Sequence, residues 1–140
     1  ILDYLFGEFS IEQKMSWFGD FFNKGRDDLA NVSFLLSGKI PVIITTSWVA
    51  PEKVRKFTVV GEKGAAVFDE VRDMKNPLRL YEIEGEDFQY KEFPVEVRNV
   101  GEPLRNELEH FINCIRDNRE PITGYRHGLR VTMYLNAITA

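Results

Sequence analysis

The 140 residues hold a single cysteine, Cys114, only two histidines and no excess of positive charge. One thiol cannot close an internal disulfide and cannot build a multi-cysteine metal site. With 18 basic against 22 acidic side chains the formal net charge is −4, and the pI is about 5.3. Binding to nucleic-acid phosphates needs a clustered positive surface, so that class of partner is excluded. Apolar runs are only a few residues long, far short of the roughly 20 that a membrane-spanning helix needs. A glycine-rich phosphate loop is missing as well. The nearest candidate, Gly61-Glu62-Lys63-Gly64-Ala65-Ala66, has two glycines where a dinucleotide fingerprint needs three. It also runs on into the strand-like Val67-Phe68 rather than opening a helix. What the chain does have is apolar material. Its 44% hydrophobic and 13% aromatic residues suffice for a folded core and exceed what a disordered linker carries.

The period of that material changes along the chain. Ile1 to Phe6 read as the end of a helix, stopped by Gly7. Phe9 to Phe22 read as a strand broken near Gly19. Ala30, Val32, Phe34 and Leu36 alternate with Asn31 and Ser33, and Val42 to Val49 form a branched run after a turn at Gly38. Val54–Val60 and Ala65–Val71 pair around Gly61 to Gly64, whose glycines are expected to supply positive φ angles. Leu78–Ile83 and Phe88–Phe93 pair through Glu84-Gly85-Glu86. From Leu104 the spacing turns helical, with Leu108, Phe111, Ile112 and Ile115 on one face and Pro103 in the first turn. A second stripe, Val131, Tyr134, Leu135 and Ile138, follows Gly128. The expected fold is α+β, an antiparallel-rich (mixed) open sheet with helices packed on one face, in a single domain over residues 1–140. The βαβ alternation of a doubly wound fold does not occur.

No complete catalytic set stands out. Glu107, His110 and Cys114 share a helical face, but one helix alone offers too few ligands for a metal; a solvated face with Cys114 turned partly inward is the plainer reading. His127, beside Arg126 and Gly128, is expected at the surface on the approach to the last helix. Asp27-Asp28 and Asp69-Glu70 are adjacent acids, which on a strand point to opposite faces and read as turn and edge residues. Arg55 and Lys56 alternate with Val54 and Phe57, compatible with an anion contact or with solvated edge charges. Two-sided apolar strands, with Val42 and Ile44 opposite Ile43, imply that both sheet faces are covered, one of them by a second copy of the chain. The chain opens on Ile1 with no signal-peptide pattern and closes mid-helix at Asn136–Ala140. We read it as a cytoplasmic, excised domain whose parent continues on the N-terminal side.

The stretch Ser47-Trp48-Val49-Ala50-Pro51-Glu52-Lys53-Val54-Arg55, running through Phe57 to Gly61-Glu62-Lys63-Gly64, resembles the central signature of the C-terminal domain of the Gfo/Idh/MocA oxidoreductases. Asp28-Leu29-Ala30 leading to Phe34 and Gly38 matches the strand pair before it. Glu102-Pro103-Leu104, Glu107-Leu108, His110-Phe111 and Ile115 are similar to the family's helix, and Pro121 and Gly128-Leu129 to the approach to its last one. The resemblance covers essentially the whole chain. It implies a fold like the C-terminal domains of glyceraldehyde-3-phosphate dehydrogenase and dihydrodipicolinate reductase. It further implies an N-terminal Rossmann domain, absent from these residues, that binds NAD or NADP, and oxidation or reduction of a hydroxyl or carbonyl on a sugar, polyol or nucleotide sugar. The family's lysine motif E-K-P and histidine motif H-x-x-D do not occur in residues 1–140. Aligning Tyr4 and Gly7 with the family pattern places that histidine just before Ile1, so this chain alone is expected to be inactive and to bind no cofactor. The loop from Trp48 to Arg55 lies where family members place substrate contacts, which makes Trp48, Lys53 and Arg55 the expected substrate-binding residues. The form S-W-x-x-P-x-K-x-R also resembles nucleotide-sugar 3-dehydrogenases, from which Ser47 and Glu52 depart. The resemblance implies self-association through the open sheet face. The competing reading is a non-catalytic binding or dimerisation module that works without a Rossmann partner.

Overall fold

Strand alternation builds the first sheet, and one irregularity decides which way it faces. The computed structural model describes residues 1–22, 24–85, 89–93, 95 and 101–139. They fall into two units, Ile1–Ala50 with His110–Ala140, and Pro51–Glu109.

In the first unit, α1 (Leu2–Phe6) ends at Gly7, whose φ of 72° is the left-handed value that glycine adopts without strain. Strands β1 (Ile11–Gly19), β2 (Leu29–Leu36) and β3 (Ile40–Ser47) form an antiparallel sheet in that order. On β2, Val32, Phe34 and Leu36 are buried, and with Phe9 they form the core. Val42 and Ile44 of β3 pack on the same side, while Ile43 points away and is 76% exposed. The hairpin between β2 and β3 closes through left-handed Ser37 and Gly38, with the Lys39 N–H donating to Leu36 O at 3.2 Å. Strict alternation along β1 would put Ile11, Met15 and Trp17 on one face. Instead the register shifts between Glu12 and Met15, where Gln13 has a φ of 50°. An extra residue in one strand reverses the alternation after it. Ile11 therefore faces the core, whereas Met15 and Trp17 face away beside Ser33 and Asn31.

Helix α3 (Tyr125–Thr139) covers the core side of this sheet with Tyr134 and Ile138. The Tyr134 ring stacks on Phe9 at 4.1 Å, and its hydroxyl accepts the Phe9 N–H at 3.1 Å. Lys14 Nζ donates to Ala137 O near the negative end of the helix. The helix begins before Gly128, not after it as the sequence predicts. Gly128 N–H donates to Gly124 O within the first turn, and one glycine there costs only about 1 kcal/mol.

In the second unit, β4 (Lys56–Gly61), β5 (Gly64–Asp69), β6 (Leu78–Glu84) and β7 (Gln89–Phe93) form a four-stranded antiparallel sheet in chain order. The predicted hairpin at Gly61 to Gly64 is present, but neither glycine takes a positive φ. Gly64 is required for clearance: a Cβ there would overlap the Tyr81 backbone oxygen on the neighbouring strand. Phe88, the expected first residue of the seventh strand, and Glu86 of its turn lie outside the described residues.

Helix α2 (Pro103–Arg116) starts as predicted, with Pro103 in its first position. The Glu102 carboxylate accepts the Leu104 and Arg105 N–H groups at 3.2 and 2.8 Å, a side-chain cap on otherwise unpaired donors. Its apolar stripe from Leu104 to Ile115 is more than half exposed, although Cys114 on the same helix is buried; Tyr134 and Ile138 of α3 are the helical residues packed against the core cluster of the first sheet. The α+β class, with antiparallel strands and a helix packed on one sheet face, agrees with the sequence reading; the strands are shared between two sheets.

Candidate functional site

The expected contact residues begin where β3 ends. Ser47 Oγ accepts the Val49 and Ala50 N–H groups at 3.2 and 3.1 Å, a hydroxyl-closed turn. Between those anchors the Trp48 N–H donates to Asp28 O at 2.8 Å. The backbone of the turn is thus pinned at three points while the indole is 91% exposed. Trp48 is not a core aromatic. Asp28, expected at a turn or edge, is 3% exposed, and its carboxylate accepts the Phe22 N–H at 2.6 Å. A carboxylate tolerates such burial when its oxygens are hydrogen-bonded.

Lys53 and Arg55 belong to the second unit, unlike Trp48. Lys53 is exposed and forms no ion pair among the described residues. Arg55 donates to Glu70 at 3.2 Å, and the Glu70 N–H bonds back to Arg55 O at 3.3 Å. That pair flanks the β4–β5 ladder and has both side chains about half exposed. Arg55 is thus ion-paired just before β4, with its guanidinium still open to water.

A polar cluster that sequence reasoning missed lies in the first unit. Asp3 of α1 is buried, and its carboxylate accepts two hydrogen bonds from Arg130, from Nε and Nη2, both at 3.0 Å. His127 Nδ1 lies 2.6 Å from the same carboxylate. The Arg130 guanidinium holds the Asp3 carboxyl below its ordinary value of 3.8; burial opposes the shift, and the His127 bond adds to it. The same bond raises Arg130 above its usual range. His127 is therefore a half-buried member of the first turn of α3, not the surface residue expected. Its spacing of three from Arg130 puts both on one helix face, which was the available signal. Asp3, more than 120 positions away, had none.

Glu107, His110 and Cys114 do not gather into a metal-ligating group of three. Cys114 is buried as expected, its Sγ 3.5 Å from His110 Nε2, and that nitrogen accepts the Ile122 N–H at 3.2 Å. No group of three metal-ligating side chains occurs among the described residues. In the second unit a cleft of about 510 Å³ is lined by Arg72, Arg79, Asn76, Asp69, Asp73 and Glu92, among others, and includes none of the expected contact residues. Asp73 stays ionised there because the Asn76 and Lys75 N–H groups hold its carboxyl below the ordinary range. A dinucleotide pyrophosphate would need glycines opening a helix. Gly61 and Gly64 close a hairpin instead, so the residues of that loop do not fit NAD or NADP. No helix among the described residues is long and apolar enough to cross a membrane.

Two antiparallel meanders, one of them backed by a helix, define an α+β domain. The chain belongs to the Gfo/Idh/MocA oxidoreductase family, as its C-terminal alpha/beta domain: the family model matches residues 1–140. No curated protein sequence matches it. Among solved structures it is similar to the UDP-N-acetylglucosamine 3-dehydrogenase GnnA of Acidithiobacillus ferrooxidans, with a TM-score of 0.74 at 17% identity over 93% of this chain. A second crystal form of that protein gives 0.73 at 18% over 94% of the chain. The aldose-aldose oxidoreductase of Caulobacter crescentus, complexed with glycerol, gives 0.69 at 18% over 90%. At such identity the likeness fixes the fold. The chain spans 40% of the length of the first structure and 37% of the aldose enzyme.

Proposed function

We propose that this chain is the substrate-side domain of an NAD(P)-dependent oxidoreductase that acts on a hydroxyl or carbonyl of a sugar, polyol or nucleotide sugar. The observation that carries the reading is Trp48. A large aromatic fully presented to water from a turn locked by Ser47 and Asp28 has no role in the fold's core. Such a side chain suits packing against the apolar face of a ring, and exposed apolar surface held rigidly is a feature of binding sites. Family membership and the sugar-oxidising names of both structural relatives support the substrate class. The cofactor is assigned to a Rossmann domain outside these residues, since the Gly61–Gly64 hairpin offers no cradle.

Lys53 and Arg55 are assigned as charged substrate contacts, each by its place after Pro51. In the full-length parent, Lys53→Ala is expected to lower kcat/KM for UDP-N-acetylglucosamine roughly tenfold while the KM for the nicotinamide cofactor stays unchanged. Arg55→Ala should have the smaller effect, because Glu70 already engages that guanidinium. Steady-state kinetics on both variants decide the matter; unchanged constants in both would leave them as sheet-edge charges.

The domain is also assigned a role in self-association. The face of the first sheet away from α3 carries Met15, Trp17 and Ile43, 69%, 70% and 76% exposed. Asn31 and Thr45 hydrogen-bond to each other on that face at 3.2 Å, giving it a mixed character. A two-fold pairing of this face in a homodimer, or in a tetramer of such dimers, removes those side chains from water. Light scattering at micromolar concentration should show a dimer or larger, and Trp17→Glu should convert it to a monomer. A wild-type mass of one chain would contradict the assignment.

A further inference from the structure

Three strand ends meet at one buried residue. Asp28 immediately precedes β2, and its backbone N–H donates to Gly19 O, at the end of β1, at 2.7 Å. Its backbone oxygen accepts the Trp48 N–H from the end of β3 at 2.8 Å. Its carboxylate accepts the Phe22 N–H, three residues beyond β1, at 2.6 Å. The connection between β1 and β2 is pinned a second time, since Asp20 Oδ2 accepts the Gly25 N–H at 2.9 Å. The residues held in this way present Phe21, Phe22 and Trp48 to solvent, each more than two-thirds exposed. Aromatic side chains of this size dominate cores and interfaces. Here three of them stand in water on backbone fixed by polar bonds rather than by packing.

We propose that Asp28 is a positioning residue for the Trp48 contact, holding Phe21, Phe22 and Trp48 as one aromatic surface for a sugar ring. The proposal rests on the reading of Trp48 as a substrate contact and extends that contact to the segment after β1. A carboxylate suits the task. Its bond to an N–H is shorter and stronger than a neutral hydroxyl would make, and the carbonyl that holds Trp48 belongs to the same residue. Movement of either aromatic segment is therefore transmitted to the other through one residue, by its carboxylate on one side and its backbone oxygen on the other. Phe21 and Phe22 would widen the flat apolar area beyond the reach of a single indole.

The test replaces Trp17 by phenylalanine, leaving Trp48 as the chain's one tryptophan, and reads its fluorescence anisotropy with circular dichroism as a check on folding. Asp28→Ala should lower the anisotropy, reporting freer motion of the indole on the nanosecond timescale. Asp28→Asn, whose amide oxygen still accepts the Phe22 N–H, should retain it. Phe22→Pro removes the N–H that ties this segment to the carboxylate, at an exposed position, and should reproduce the loss; it carries the test where Asp28→Ala does not fold. Wild-type anisotropy in Phe22→Pro would overturn the proposal, and so would an equal loss in Asp28→Asn. In the parent, Trp48→Ala and Phe22→Ala should raise the KM for UDP-N-acetylglucosamine or glucose non-additively. An effect of Trp48→Ala with none from Phe22→Ala overturns the shared surface. No effect from Trp48→Ala counts against the proposed function instead, and the anisotropy result alone then decides the role of Asp28.

Discussion

Replacing Phe34 by alanine is expected to cost about 3–5 kcal/mol of stability and to lower Tm by roughly 10–15 °C. The residue lies at the middle of the buried cluster of the first sheet, between Val32 and Leu36 on β2, with Phe9 beside it. Its ring is 3% exposed, and the sheet on one side and α3 on the other restrict collapse into the space it leaves. Phe57→Ala on β4, half-buried, should cost clearly less. Thermal melts of the two variants give the comparison, and equal losses would mean that the core has been misplaced.

The second large effect is pH-dependent and belongs to Asp3. Arg130 and His127 hold its carboxyl below the ordinary 3.8 in the folded chain. A depressed carboxylate contributes stability that is fully present above the unfolded value and disappears as the pH falls through the folded one. Between about pH 7 and pH 5 its contribution should be constant, and below about pH 4 it should fade. Asp3→Asn should therefore lower Tm at neutral pH, and its curve should converge with the wild type under acid conditions. Arg130→Ala should be the more harmful change at neutral pH, since it leaves a buried carboxylate without its two strongest donors. Melting curves across this range supply the test. Parallel, non-converging curves would mean that the Asp3 charge contributes nothing to folding.

Elements set by local pattern were legible in the sequence. The alternation of Val32, Phe34 and Leu36 gave the inward face of β2, and Pro103 marked the start of α2. Gly61 and Gly64 marked a hairpin, although the reason lay in a neighbouring strand: what Gly64 avoids is the Tyr81 backbone, which no local rule reveals. Gly128 misled for the opposite reason. Read as a break before the helix, it sits in open space inside the first turn, where glycine is tolerated. The bulge at Gln13 was invisible as well, yet it alone turns Met15 and Trp17 to the outer face. Buried carboxylates show the same limit. Asp3 and Asp28 look like surface acids in sequence, because groups that hydrogen-bond them, among them Arg130 and the Phe22 N–H, are brought close only by folding.

The candidate site divides along the same line. Trp48 was singled out through a family resemblance, and the sequence could not separate a buried tryptophan from an exposed one. Its exposure removes the core-aromatic alternative, and Ser47, one residue earlier, fixes the turn that carries it. Arg55 is already engaged by Glu70, 15 positions away just past the end of β5, which weakens its case relative to Lys53.

The assignment of this domain to the substrate side stands or falls with Trp48. In the full-length parent, Trp48→Ala is expected to raise the KM for the sugar substrate, assayed with UDP-N-acetylglucosamine and with glucose, by roughly tenfold. The cofactor KM should stay at its wild-type value, and Tm should change little, because the indole supports nothing in the core. Trp48→Phe should recover most of the loss. A Trp48→Ala enzyme with unchanged sugar kinetics, or one impaired equally toward sugar and cofactor, would contradict the assignment of this domain to the substrate side.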